Sequence, residues 1–234
     1  LKGHLKTETA GYGQADLNFQ LAVGEIIPLA FRGRIETEKG TLPARVESAL
    51  GGPGVDILCR ATMSLEGGLN IEQFKAQAPC TTISLSGTFD WMKGIMDVGV
   101  EADPLNIAPL IQGEEIVYQD LGSVQLSAEG SFHQPEITVS TTIGKFQTRR
   151  GDVKQISLSA KGKPVKGFTG LERAKVSVLA EKLTVPQIPR LRGPLRLDFF
   201  VKSPDFTVWE VEELHLTAKD TDMRMDDGLI NPVD

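Results

Sequence analysis

Few residues in this chain could do chemistry, and they lie far apart. The three histidines, His4, His133 and His215, are scattered, so no metal centre is expected. The adjacent carboxylates Glu114-Glu115 and Asp226-Asp227 could in principle share a proton for acid–base work. Neighbours on a strand point to opposite faces, however, and these pairs read as solvated surface. Gly11-Tyr12-Gly13 lacks the third glycine and following helix of a dinucleotide site, and no G-x-S-x-G elbow is present. Arg149-Arg150, just before Gly151-Asp152, fits a turn that exposes two charges, with a lipid-headgroup contact as the sharper alternative. Trp91 and Trp209 are too far apart in sequence to offer much of a sugar-binding platform. No catalytic residue, cofactor or metal is assigned, and the chain is not expected to be an enzyme. A glycan-acting protein using scattered carboxylates is the least favoured reading. Two cysteines, Cys59 and Cys80, allow one disulfide in an oxidising compartment and equally two thiols in a reducing one.

The elements that would carry these residues are strands. Apolar and polar residues alternate with period two from end to end. The apolar positions are Leu17, Phe19 and Leu21; Phe31 and Ile35; Val55 and Ile57; Ile83 and Leu85; Val98 and Val100. They continue at Val124 and Leu126; Ile137 and Val139; Ile156 and Leu158; Val176 and Val178; and Leu195, Leu197 and Phe199. Turn signals such as Gly67-Gly68, Gly162-Lys163-Pro164 and Gly193-Pro194 separate the runs. This spacing predicts an all-β chain of about 14 to 16 short strands. One segment, Asp103-Pro104-Leu105-Asn106-Ile107-Ala108-Pro109-Leu110-Ile111, has apolar residues at helical spacing and predicts a helix of one or two turns near 104–111. The expected organisation is one elongated β domain over 1–234, with 103–121 as the place where it could subdivide.

Composition sets limits on partners. The 234 residues carry 25 Lys+Arg against 31 Asp+Glu, a net charge of −6 that argues against nucleic acid. The 24 Gly and 13 Pro with only 6% aromatic residues describe many turns between strands faced with small aliphatic side chains. No stretch approaches the roughly 20 apolar residues that span a bilayer, and no basic-then-apolar leader opens the chain. Since it opens on Leu1 and stops at Asp234 in mid-pattern, the chain is expected to be a span of something longer, with any membrane anchor outside it.

A series of strands with one apolar face must cover that face with another sheet, a helix layer or an apolar ligand. Val, Ile, Leu, Ala and Gly fit both a narrow sandwich core and an open trough for acyl chains. Cys59 and Cys80 fall in or beside strands n and n+2, counting the run from Leu69 to Ala76 between them. A meander separates such strands by about 9.6 Å, beyond the Cα distance of about 7 Å that a disulfide tolerates. Strands alternating between two walls bring them together. The expectation is the alternating arrangement with the Cys59–Cys80 bridge formed.

The stretch from Gly122 to Ser140, GSVQLSAEGSFHQPEITVS, resembles the recurring unit of the TamB and AsmA-like family of bacterial envelope proteins. There a strand of type G-x-V-x-L-x-A-x-G leads through a short turn to P-x-I-x-V. Asp103 to Gly113, DPLNIAPLIQG, is similar to that family's interruption of type D-L-x-x-L-x-P-L-L-x-G, and Leu85-Ser86-Gly87-Thr88-Phe89 to its repeated strand ends. The likeness runs over about two thirds of the chain, and the part after Gly167 fits less well. The resemblance implies an elongated curled sheet, or β-taco, with an apolar concave face. It also implies a periplasmic location, a parent protein anchored in the inner membrane, and phospholipid conducted toward the outer membrane. Assistance to outer-membrane protein assembly, with a barrel protein as partner, is part of the same implication. The lipid-facing residues are then the apolar positions named above, from Leu17 and Phe19 to Leu197 and Phe199. The alternative is a structural scaffold or adhesin-like module that binds protein by strand addition at an open edge.

Overall fold

The computed structural model describes the backbone of residues 2–9, 13–21, 26–36, 50–52, 54–106, 116–148, 151–184, 192–218 and 221–230, and side chains over 26–36, 50–52, 54–106, 120–147, 152–181 and 194–218. Every element whose bounds are described is a β-strand, fifteen in all, and the sheet is open, curled and antiparallel. The chain forms two compact units, Leu1–Gln112 and Gly113–Asp234.

The first unit is a meander of β1 (Lys2–Thr9), β2 (Gly13–Leu21), β3 (Ile26–Glu36), β4 (Gly54–Ser64), β5 (Gly68–Gln77), β6 (Thr82–Asp90) and β7 (Ile95–Leu105). Each strand pairs with the next one in sequence. Short Gly-containing turns join β4 to β5 and β6 to β7, so those hairpins close with little loop entropy. The turn before β5 shows why glycine is needed there. Gly67 sits at φ +94°, its N–H donates to the Ser64 carbonyl at 3.1 Å, and a Cβ there would collide with Met92 and approach Trp91 Nε1.

In the second unit β8 (Ile116–Gln119), β9 (Gly122–Ser131), β10 (Gln134–Thr148), β11 (Gly151–Pro164), β12 (Leu171–Thr184), β13 (Arg192–Ser203), β14 (Trp209–Ala218) and β15 (Thr221–Ile230) follow. From β9 to β15 each strand again pairs with its successor. The short β8 pairs with the far end of β10, over Phe146 to Thr148. β9 and β10 hold the run whose apolar-polar alternation resembled a repeat unit, and Ile137 lies opposite Ala128, Val139 opposite Leu126 and Thr141 opposite Val124.

Two expectations are corrected. Pro104 and Leu105 end β7, and Asp103 lies opposite Thr82 in the β6–β7 ladder, so no helix begins at that point. The period-two run Met96, Val98, Val100, Ala102 continues through Asp103, and Pro104 is tolerated where the strand ends and its missing N–H costs no ladder bond. Residues 107–111, the rest of the expected helix, lie outside the described residues. The strands also do not alternate between two walls. In the meander β5 separates β4 from β6, Cys59 is buried on β4, Cys80 is exposed between β5 and β6, and both cysteines are free. Period two fixes which way a side chain points but carries no information about which strands are neighbours, and that is why the bridge was misplaced.

Candidate functional site

Directly opposed residues on antiparallel strands point to the same side of a sheet, so register alone places the expected groove residues. In the first unit one row runs Leu17, Gly33, Ile57, Ala76, Ile83, Ala102. The next runs Phe19, Phe31, Cys59, Phe74, Leu85, Val100. Leu21 lies opposite Leu29, Ile35 opposite Val55, and Val98 opposite Gly87. All the groove positions expected between Leu17 and Val100 therefore fall on one face. The side chains of Leu17, Phe19 and Leu21 lie outside the described set, and for them only the register is given.

The second unit behaves alike. Leu126, Val139, Ala160, Val176, Phe199 form one row across β9 to β13. Val124, Thr141, Leu158, Val178, Leu197, Leu216 form the next, and Ile143, Ile156, Ala180, Leu195 the one after. Ile137 closes the other end, opposite Ala128 and Gly162. Thus Val124, Leu126, Ile137, Val139, Ile156, Leu158, Val176, Val178, Leu195, Leu197 and Phe199 also share a single face.

Burial says what covers these faces. Along β3 the strand alternates between exposed and half-buried, with Phe31 and Ile35 on the half-buried side. Among the described residues, Pro135 and Pro164 aside, the buried apolar side chains are nine, and five of them are alanines, Ala61, Ala78, Ala128, Ala174 and Ala180. The others are Cys59, Val98, Ile143 and Val211, so no Leu or Phe is buried. A closed sandwich interdigitates its largest side chains and buries them first. Here mainly small residues are fully buried, with Val98, Ile143 and Val211, while the described Leu and Phe side chains of the faces stay half-buried, as in a single layer. Consistent with that, strand packing within each unit is between sheet neighbours.

β5 and β14 keep their apolar side chains on the common face by adding a residue, and β12 has like register shifts against β13 at Glu172-Arg173 and Glu181-Lys182. In β5 the apolar set is Leu69, Ile71 and then Phe74, Ala76, with a register shift between Ile71 and Phe74 that sets Glu72 and Gln73 opposite Ser86. In β14 the set is Val211, then Leu214 and Leu216, with Glu213 at φ +53° beside the shift. Both are β-bulges, each marked by two consecutive polar residues. Phe74, Ile71 and Val211 belong to the face but were missed by strict alternation; the doubled polar pairs Glu72-Gln73 and Glu212-Glu213 are the signal that could have found them.

The opposite face is polar and nearly neutral. Arg34 pairs with Glu36 at 2.7 Å and Asp56 at 3.7 Å. Lys202 bridges Glu210 at 2.9 Å and Glu212 at 2.7 Å, and these carboxylates hold its ammonium well above the ordinary lysine range. Arg173 pairs with Glu212 and Glu213 and lies 3.8 Å over the Phe200 ring, so Phe200 sits on the charged side and Phe199 on the apolar one. Asp198 takes a 2.6 Å bond from Arg196 and another from Ser177, and Arg196 chiefly holds its carboxyl below the usual range. A cleft of about 400 Å3 is lined by residues of both faces, among them Ile26, Ser64, Leu69, Phe89 and Ile95, and one of about 300 Å3 includes Ser140, Leu158, Ser177, Val178 and Arg196.

Arg149, Arg150, Glu114 and Glu115 lie outside the described residues; His4, Asp226 and Asp227 are placed in β1 and β15 by backbone only. His133 is an exposed turn residue, and His215 lies on β14 with Nε2 3.4 Å from Thr217 Oγ1. No group of three candidate metal ligands comes together among the described residues, and no helix there is long and apolar enough to cross a membrane. Comparison with protein-family models, curated proteins and solved structures gives no match to this chain.

Proposed function

We propose that this chain is a span of an envelope lipid conduit, in which the continuous apolar face shields phospholipid acyl chains as they pass between membranes. The observation that carries this reading is the apolar face itself. Rows of apolar residues run across β2 to β7 and across β9 to β13, and apart from the buried Val98 and Ile143 the described large side chains on them are half-buried. An acyl chain laid on such a face loses contact with water at about 0.8 kcal/mol per methylene. Successive rows offer similar apolar surface, so movement along the face is close to level in free energy. With neighbouring strands about 4.8 Å apart, the seven strands of the first unit extend the path by roughly 29 Å. The chemistry is that of a surface; no proton, metal or nucleophile takes part.

The TamB and AsmA-like envelope proteins, whose repeat unit the stretch from Gly122 to Ser140 resembles, supply the setting: a periplasmic segment of an inner-membrane protein, moving phospholipid toward the outer membrane or helping a barrel protein assemble there. The test is native mass spectrometry of detergent-free protein, joined to photo-crosslinking from Phe31, Ile57 and Leu197 with Arg60 and Arg196 on the opposite face as controls. Bound phospholipid that crosslinks from the first three positions and not from the controls is the expected result. A lipid-free chain with no crosslinks from the apolar face would sink the proposal.

A further inference from the structure

The large exposed apolar residues of the first unit gather at one end of its sheet. Leu65 is 71% exposed in the β4–β5 turn, Met92 is 76% and Trp91 47% exposed in the β6–β7 turn, and Ile26 and Ile95 begin β3 and β7 at the same end. We propose that these two turns form an apolar rim that seats this end of the sheet in the interfacial layer of a phospholipid bilayer.

Three observations favour a bilayer as the occupant. First, the turns are tied to each other and four of their N–H groups are paired within the chain. The Trp91 N–H donates to the Gly67 carbonyl at 3.0 Å, Gly67 N–H to the Ser64 carbonyl, Glu66 N–H to Ser64 Oγ and Lys93 N–H to Asp90 Oδ1. Each N–H already paired in this way lowers the cost of moving the tip into a water-poor layer. Second, the side chains suit the interface. Trp91 is amphipathic, Met92 and Leu65 are apolar, and Lys93 has a long stem that lets its ammonium stay at headgroup level. Lys93 pairs with Asp90 at 2.9 Å and also feels Glu66, which leaves a net charge of −1 beside the tips. Third, the rim continues the apolar face. The last row at this end is Met63, Leu69, Phe89 and Met96, directly behind the two turns, so an acyl chain leaving the face meets no intervening polar row. The turns lie at strand ends, beside the path that runs across the strands, so the rim is a lateral opening through which lipid enters or leaves, and in this last respect the inference rests on the lipid-conduit reading.

The test uses the whole chain and neutral phosphatidylcholine vesicles, because a net charge of −6 opposes anionic lipid. Flotation is compared between the parent and a triple variant, Leu65→Ser with Trp91→Ser and Met92→Ser. Each truncation removes an apolar anchor and is expected to lower partitioning by about tenfold. In a Trp209→Phe background, brominated phosphatidylcholine quenches the remaining indole, Trp91, only if it inserts; this holds the test open even if the triple variant does not fold. Flotation and quenching in the parent, with flotation lost in the variant, supports the rim. A parent that neither floats nor quenches, a variant that floats equally well, or a vesicle-free dimer dispersed by the same substitutions overturns it. Copurifying lipid is measured on the same samples. A lipid-loaded chain without vesicle binding leaves the conduit standing and removes the rim, whereas rim-dependent binding by a lipid-free chain does the reverse.

Discussion

Leu85→Glu separates an open face from a covered core. Leu85 stands in the middle of the first unit, opposite Phe74 on one side and Val100 on the other, and is half-buried. Full burial of a leucine side chain is worth about 1.5–3 kcal/mol, so a half-buried one forfeits about 1–1.5 kcal/mol when removed. On an open face the new carboxylate reaches water and adds little to that loss. Beneath a second layer it would be a buried, unpaired charge, and the total would reach about 3–5 kcal/mol. Urea unfolding of parent and variant, compared at constant slope, reads the difference. The same substitution sets a charge in the path of the acyl chains, so lipid retained per chain should fall. A loss of stability above about 3 kcal/mol would show that something covers the face, and unchanged lipid content would show that acyl chains do not lie there.

The remaining predictions concern turns, thiols and charges. Gly87 has φ +147°, and a Cβ there would collide with the Asp97 carbonyl and lie 2.7 Å from Val98 Cα, whereas a Cβ at Gly99 meets nothing within 4 Å. Gly87→Ala should cost about 2–3 kcal/mol, and Gly99→Ala should be neutral or stabilising by about 0.5 kcal/mol; equal thermal midpoints for the two variants would refute the close approach. Thr81 is buried with its Oγ1 lacking a hydrogen-bond partner, so the near-isosteric Thr81→Val should stabilise by about 1 kcal/mol, and destabilisation in the same melt would reveal a partner. A maleimide should label Cys80 in the native chain and Cys59 only after unfolding, because burial both hides the Cys59 thiol and pushes its pKa up. Two thiols should be counted in denaturant with or without reductant. Arg196 holds the Asp198 carboxyl below its unfolded value. The stability this supplies is present above about pH 4 and is lost as pH falls through the lower folded pKa. Asp198→Asn should therefore cost about 0.5–1 kcal/mol at pH 7 and progressively less below pH 4. Paired urea melts at pH 7 and pH 3 check the sign.

Period-two patterning made most of the architecture legible. A residue such as Val139 or Leu197 declares its face by its neighbours, and the register carries that face across each ladder. The pattern failed in three places for distinct physical reasons. At Glu72-Gln73 and Glu212-Glu213 a bulge changes parity within a strand, which hides Phe74 and Val211 from a strict count. At Pro104 the spacing of Ile107, Leu110 and Ile111 suggested a helix, but pairing of Asp103 with Thr82 extends the strand past it. For Cys59 and Cys80 the fault lay in topology, since alternation is identical for a meander and for strands shared between two walls. The exposed rim of Leu65, Trp91 and Met92 was also invisible, because turn residues belong to no periodic run and only the meander brings their turns to one end.

Apart from β8, which pairs with β10, the strands pack chiefly on their sequence neighbours, and this bears on how each unit forms. Nearly all its long-range order is made of adjacent hairpins, so contact order is low and folding need not wait for distant segments to meet. Cohesion then resembles that of a linear array, where each hairpin adds one interface and the termini fray before the middle. Such a unit can be lengthened or shortened one hairpin at a time without rethreading the rest, and damage to one ladder stays local.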